Sequence, residues 1–337
     1  MPALSLVVCV YHQRDLLERL MQRAEGCYDE LVVIHDGPEH EPSDNPLQGD
    51  DLTKGKLPSH AIPQLAVDFA DPDRLAEAAR FWKEKTGSAV KGSVHELVQT
   101  HGGRFFEGPR CFNHECQWPF AWSQCANDWI LLLDSDEFPG PELKAWLKQF
   151  RAGPGSDSAS GYTCVWPLWD GQKTLSQKYP RGRLFLIHRQ RVRYFAMGES
   201  RPRPDAAFQD LDLILHHQPS RRSYGLRNVF RKDGARWRRR IAEALLKRPT
   251  DLSCWRWNSD RWPQEWEQIR QRPLHTAIKR LGLETLRGLR EQWRTGKRLF
   301  PMAAVSGPLY HALICLEFRR QRRIFVSQNS DRNGNET

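Results

Sequence analysis

Residues 129–139 read WILLLDSDEFP, and this stretch constrains the rest of the chain most. Five apolar residues, Trp129 to Leu133, run without a break into Asp134-Ser135-Asp136-Glu137. An unbroken apolar run of this length, closed by polar residues, suits a strand buried on both faces of a parallel sheet. Phe138-Pro139-Gly140-Pro141 ends it at once, which favours a strand over a buried helix. The acidic cluster then falls at the carboxyl end of a central strand, where open α/β sheets place their ligands. Carboxylates at i and i+2 point to opposite faces while a strand continues, and converge where it turns. Converging carboxylates, completed by a substrate phosphate, hold Mg²⁺ or Mn²⁺. A solvated acidic turn is the simpler alternative.

With 337 residues the chain can bury one large core or two smaller ones. Its charge is uneven. Residues 219–323 hold 26 Lys and Arg against 9 Asp and Glu, and the remainder holds 25 against 32. A near-neutral, catalytic-looking part is thus followed by a strongly basic one, fit to meet nucleic acid, anionic lipid or a phosphorylated substrate. The eight cysteines contain no C-x-x-C and no framework spacing. Reduced, buried thiols and a cytosolic compartment are the expectation. The first strand begins with no basic segment before it, so no leader is expected. No run reaches the roughly 18 apolar residues of a membrane-spanning helix.

In order, residues 4–10 predict a strand, 13–24 a helix with Leu16, Leu17, Leu20 and Met21 on one face, and 30–35 a second strand ending in Asp36-Gly37-Pro38. That is a βαβ unit. Asp36 at the strand end can receive a base or ribose, although Asp-Gly-Pro is also turn-forming by itself. Residues 39–92 read as a loop-rich insertion containing a short helix at 73–85. A helix at 94–101 and a strand from Arg104 follow. Residues 112–126 read as a helix in which Pro119 marks a kink or a late start. After the acidic turn come a helix at 141–150, strands at 162–168, 183–188, 193–196 and 211–217, and Trp169-Asp170-Gly171 between the first two. Beyond residue 219 the chain becomes Arg-rich and helical. Ile278, Leu281, Leu286, Leu289 and Trp293 share one helix face. Residues 302–318 are apolar, broken by Gly307-Pro308, and flanked by arginines.

These pieces together, VVCVYHQRDLLERL, DELVVIHDGP, GGRFFEGPR, ANDWILLLDSDEFPGPEL and LILHHQPSRRS, resemble the nucleotide-sugar-binding half of a family 2 glycosyltransferase with the GT-A fold. The likeness is to the bacterial branch that builds lipopolysaccharide and related cell-surface glycans. It spans residues 4–222. The resemblance implies a Rossmann-like mixed α/β sheet flanked by helices over residues 1–218, with the 39–92 insertion. A basic helical C-terminal extension would cover 219–325, and a disordered tail 326–337. It implies that Asp36 contacts the nucleotide base, Arg110 the nucleotide or its phosphates, and Asp134 the ribose and phosphates. Asp136 would be the more direct ligand of a divalent cation, Mg²⁺ or Mn²⁺, with Asp134 beside it and His216 or His217 completing the shell. Where relatives carry His-Glu this chain has Gly198-Glu199, so Glu199 is the candidate general base and Asp170 the alternative. Asp-Gly-Pro also replaces the usual Asp-Gly-Ser.

The implied reaction is an inverting transfer of a sugar from a nucleotide-sugar donor to a glycan or glycolipid acceptor. The expected place is the cytoplasm, peripheral on the cytoplasmic face of the inner membrane. The segment 302–318, too short to span, would lie in the interface of an anionic leaflet. The rival reading is a nucleic-acid-binding protein that uses residues 231–240 with Trp237, Trp255 and Trp257 as stacking platforms. It leaves the acidic strand end without a task, so no nucleic acid partner is expected.

Overall fold

The structure, a computed structural model, describes residues 1–11, 13–37, 39, 66–67, 93–108, 115, 117–153, 158–195, 201–219, 222–230, 235, 238–239, 241–242, 245–246, 264–296 and 298–334. Two compact units divide at Ser223 and Tyr224.

In the first unit, β1 (Leu4–Val10), α1 (Arg14–Arg23) and β2 (Glu30–Asp36) form the expected parallel βαβ unit, with Leu6 opposite Leu31. A two-residue β3 (Ala66–Val67) is followed by α2 (Ser93–Thr100), β4 (Arg104–Gly108) and α3 (Trp118–Gln124). Pro119 stands in the first turn of α3, so the helix starts late and is not kinked. Next come β5 (Trp129–Leu132), β6 (Glu137–Pro139), α4 (Pro141–Ala152), β7 (Gly161–Val165), β8 (Arg183–His188), β9 (Val192–Phe195), β10 (Arg203–Pro204) and β11 (Gln209–His217).

Eight of these strands make one mixed sheet in the order β4-β2-β1-β5-β8-β7-β11-β6. The pairs β1–β2, β1–β5, β2–β4 and β7–β11 are parallel, while β8 and β6 run against their neighbours. The chain steps one way from β1 to β2 and β4, then returns to the other side of β1 with β5. This reversal opens a crevice at the carboxyl ends of β1 and β5. Because β8 is reversed, its first residue, Arg183, lies at the edge where β5 and β7 end.

Alternation sorts the buried side chains onto the two faces. Leu4, Leu6, Val8, Trp129, Leu131 and Leu133 join α1 and α4 in one core, through Leu17, Leu20, Leu143 and Leu147. Val7, Ile130 and Leu132 join Trp118, Ala121, Trp122 and Tyr194 in the other. All four residues of β5 are buried, as the apolar run predicts. Gly161 of β7 has no room for a side chain, since a Cβ would collide with the Leu186 carbonyl. β10, β9 and β3 form a separate antiparallel sheet. The mixed sheet with helices on both faces is consistent with a GT-A-like fold.

The second unit contains α5 (Leu226–Val229), α6 (Gln264–Gln271), α7 (Pro273–Thr295) and α8 (Pro301–Gly334). α7 and α8 form an antiparallel hairpin. The Gln292 side chain closes its turn: its amide accepts the Phe300 N–H at 2.6 Å and donates to the Phe300 carbonyl at 3.1 Å. The break expected at Gly307-Pro308 does not occur. α8 runs through Pro308, which forfeits one backbone bond while the helix keeps its packing against α7. Residues 326–334, expected as a disordered tail, continue that helix. Among the Arg-rich residues 231–240 only 235, 238 and 239 are described. Trp237, Trp255, Trp257 and the expected 73–85 helix lie outside the described residues, as does most of the 39–92 insertion.

The five described cysteines are free thiols, four of them buried.

Candidate active site

β5 ends at Leu132, and the chain turns back into β6 within four residues. The turn is closed from both ends. The Glu137 N–H donates to the Asp134 carbonyl, and the Asp134 N–H donates to the Glu137 carboxylate, each at 2.9 Å. Ser135 donates to the Gln13 side chain, which ties the turn to the start of α1.

Glu137, fully buried, accepts from Arg183 Nε at 2.7 Å and Nη2 at 2.8 Å. The same Nη2 reaches Asp134 Oδ2 at 3.2 Å. One guanidinium is thus shared by two carboxylates. Burial alone would lower the Arg183 pKa, but Glu137 and Asp134 raise it well above its ordinary value. Burial pushes the Glu137 carboxyl up, and Arg183 offsets part of that.

Asp136 stands on the other side of the turn. Its Oδ2 lies 3.4 Å from His217 Nε2. His217 ends β11, opposite Glu137. The Gln218 N–H donates to the Asp136 carbonyl at 2.8 Å, which fixes this approach. The His217 ring stacks on Trp166 at 4.0 Å between centroids, and the Arg183 guanidinium lies 5.5 Å from the centre of the same indole. Trp166 therefore separates and orients the two basic groups that meet Asp134 and Asp136. The Asp134 and Asp136 side chains keep 31% and 21% exposure, so both carboxylates are reachable from solvent.

Asp36 ends β2, two strands from β5 in the sheet order, roughly 10 Å away on the same edge. It accepts from Gln117 Nε2 at 3.1 Å, which joins it to the start of α3.

The remaining expectations fare differently. His216 pairs with Phe138 and so shares its face, opposite to that of His217. It belongs with Gly140 and Arg23 and is not gathered with Asp136. Asp170 caps a turn, its Oδ1 accepting from Gln172 N–H and Lys173 N–H at 2.8 Å each. Those bonds hold its pKa below the ordinary carboxylate range. Arg110 and Glu199 lie outside the described residues.

Sequence reasoning missed Arg183 and the pairing role of Glu137. The third acid of the cluster was visible, but its partner stands 46 residues later at the head of a strand. Among the described residues no group of three or more His, Cys, Asp or Glu is gathered for a metal ion. What the turn offers is a carboxylate and an imidazole. The buried His217 Nδ1 has no partner among the described residues. The carboxylate suits Mn²⁺ or Mg²⁺ with phosphate oxygens and water as the other ligands, and an imidazole beside it favours the softer Mn²⁺ of the two.

His188 and His216 give the fold a pH dependence. Burial holds both below the usual 6.5, with Arg191 acting on the first and Arg23 on the second in the same direction. The folded chain thus takes up these protons at a lower pH than the unfolded chain, whose imidazoles protonate near pH 6.5. Their contribution is therefore complete above that value and is lost as pH falls below it. Thermal midpoints should fall between about pH 7.5 and about pH 5.5, and His188→Asn with His216→Asn should flatten the decline.

No family model matches the chain, and no curated protein does. Among solved structures, the crystal structure of S. aureus TarS residues 1–349 is similar at 12% identity and a TM-score of 0.31, over 95% of this chain and 92% of that one.

Proposed function

We propose that the chain is a metal-dependent, inverting glycosyltransferase of the family 2 kind. It moves a sugar from a nucleotide-sugar donor to a lipid-linked or polysaccharide acceptor in cell-surface, lipopolysaccharide-like glycan synthesis, on the cytoplasmic side of the membrane. One observation carries this reading. Asp136, in the turn beside Asp134, meets His217 at the end of β11, on the same carboxyl edge as Asp36.

In this reading Asp136 and His217 hold the divalent cation, and Asp36 receives the nucleoside. When bound, the ion neutralises the charge that grows on the departing nucleoside diphosphate. Arg183 keeps Asp134 fixed, so the turn is preorganised before the donor arrives. The acceptor hydroxyl needs a base. The turn bonds that depress the Asp170 pKa weaken it for that task, which leaves Glu199, named by the resemblance. The Arg110 assignment likewise rests on the resemblance alone.

The test is release of nucleoside diphosphate from a panel of nucleotide-sugars, with and without Mn²⁺, in the presence of a detergent-solubilised glycolipid fraction. Cation-dependent release from one donor supports the reading. Absence of release from every donor, from protein that melts cooperatively, counts against it.

A further inference from the structure

The second unit exposes a helix face that its fold does not use. α7 buries Thr276, Ala277 and Gln292, small or polar residues, while Ile278 is 73% exposed, Leu286 64% and Trp293 79%. At 3.6 residues per turn, Ile278, Leu286, Leu289 and Trp293 fall within an arc of roughly 80°. Only Gly282 and His275 share that arc. The adjoining arc carries Lys279, Arg287, Arg290 and Arg294, interrupted by Leu283 and, in the first turn, by the buried Thr276. A helix of a water-soluble hairpin normally turns its apolar stripe inward. Here the apolar stripe faces out and a basic stripe runs along its flank.

We propose that α7 docks in the plane of an anionic lipid surface. The apolar arc enters the acyl boundary, and the arginines beside it meet headgroup phosphates. Charge complementarity chooses this occupant. Guanidinium groups pair bidentately with phosphates, and each basic residue near an anionic leaflet adds to the attraction. Trp293 belongs at such a boundary, apolar in body and polar at its N–H. The helix lies on the surface, because among the described residues no helix is long and apolar enough to cross a membrane.

A second copy is a poorer occupant. Pairing two apolar arcs would set their basic flanks along one seam, and α7 carries five basic residues against Glu284 and Glu291. The segment 302–318, expected from sequence at the lipid interface, keeps Met302 and Leu316 exposed but turns much of its apolar surface inward. In residues 302–318, Ala304, Ala312, Ile314, Cys315 and Phe318 are buried, which moves the docking face to α7. The inference stands apart from the proposed transfer reaction.

The test sediments the full chain with phosphatidylcholine vesicles, with or without phosphatidylglycerol. The expected result is capture by the anionic vesicles, weakened by salt, and little by the neutral ones. Ile278→Glu with Trp293→Glu should lower the partition coefficient roughly tenfold or more. Both sites are exposed, so circular dichroism and the melting midpoint should stay at wild-type values. Wild-type protein left in the supernatant with both vesicles would overturn the proposal, as would a double variant that sediments like wild type. Dimerisation in sedimentation velocity that the double variant abolishes, without vesicle capture, would reassign the face to a second copy.

Discussion

Arg183→Met should be the most destabilising single substitution in the acidic turn, costing about 3–5 kcal/mol. The change removes the cation that compensates a fully buried Glu137 carboxylate and a half-buried Asp134. An uncompensated buried charge is the expensive outcome, rather than the loss of the contacts as such. For a unit of this size the cost corresponds to a fall of roughly 10 °C in melting midpoint. Arg183→Lys should recover little, because one ammonium cannot replace a fork that reaches both Glu137 oxygens and Asp134 together. Arg183→Met combined with Glu137→Gln should recover more than half of the loss, since the buried charge goes with its partner. Urea titrations of the three variants check this. A cost below about 1 kcal/mol for Arg183→Met would mean that solvent screens the pair.

Asp136→Asn should have the opposite profile, with little change in stability and a large loss of turnover. The carboxylate keeps partial exposure; its Oδ2 lies 3.4 Å from His217 Nε2, and Arg19 is near enough to feel its charge. In the proposed reaction it is the main ligand of a cation worth several kcal/mol to the departing diphosphate. At 1.36 kcal/mol per factor of ten, that becomes a loss of roughly 100- to 1000-fold in kcat/KM for the donor. The apparent Mn²⁺ requirement should rise in parallel. Wild-type turnover in a folded Asp136→Asn variant would remove Asp136 from the mechanism.

Much of this architecture can be read from local pattern. The near-continuous apolar run of β1, the helical spacing of α1 and the wholly apolar β5 each name their element and its burial, because both faces of a parallel strand are covered. The carboxyl-edge position of Asp134 and Asp136 follows from that alone. What stays hidden depends on distant partners or on what covers a face. Arg183 looks like the polar start of a strand until β8 is seen to run against β5 and deliver it to the ligand edge. His216 and His217 look equivalent, yet strand alternation sends them to opposite faces. Asp170 next to Gly171 looks like a candidate base, but its carboxylate is engaged by the turn it caps. The helical repeat groups Ile278, Leu286 and Trp293 without telling whether anything lies over them. At Pro308 local propensity pointed to a break, and packing in the hairpin overrode it.

The carboxyl edge should bind a nucleoside diphosphate together with a divalent cation. Titration calorimetry of nucleoside diphosphates into the full chain, with Mn²⁺ and then with a chelator, tests it most directly. One of them should bind with Mn²⁺ and not with chelator, and Asp136→Asn should abolish the heat while the variant stays folded. Absence of binding to every nucleoside diphosphate in the presence of Mn²⁺ or Mg²⁺, or binding indifferent to Asp136→Asn, would contradict it.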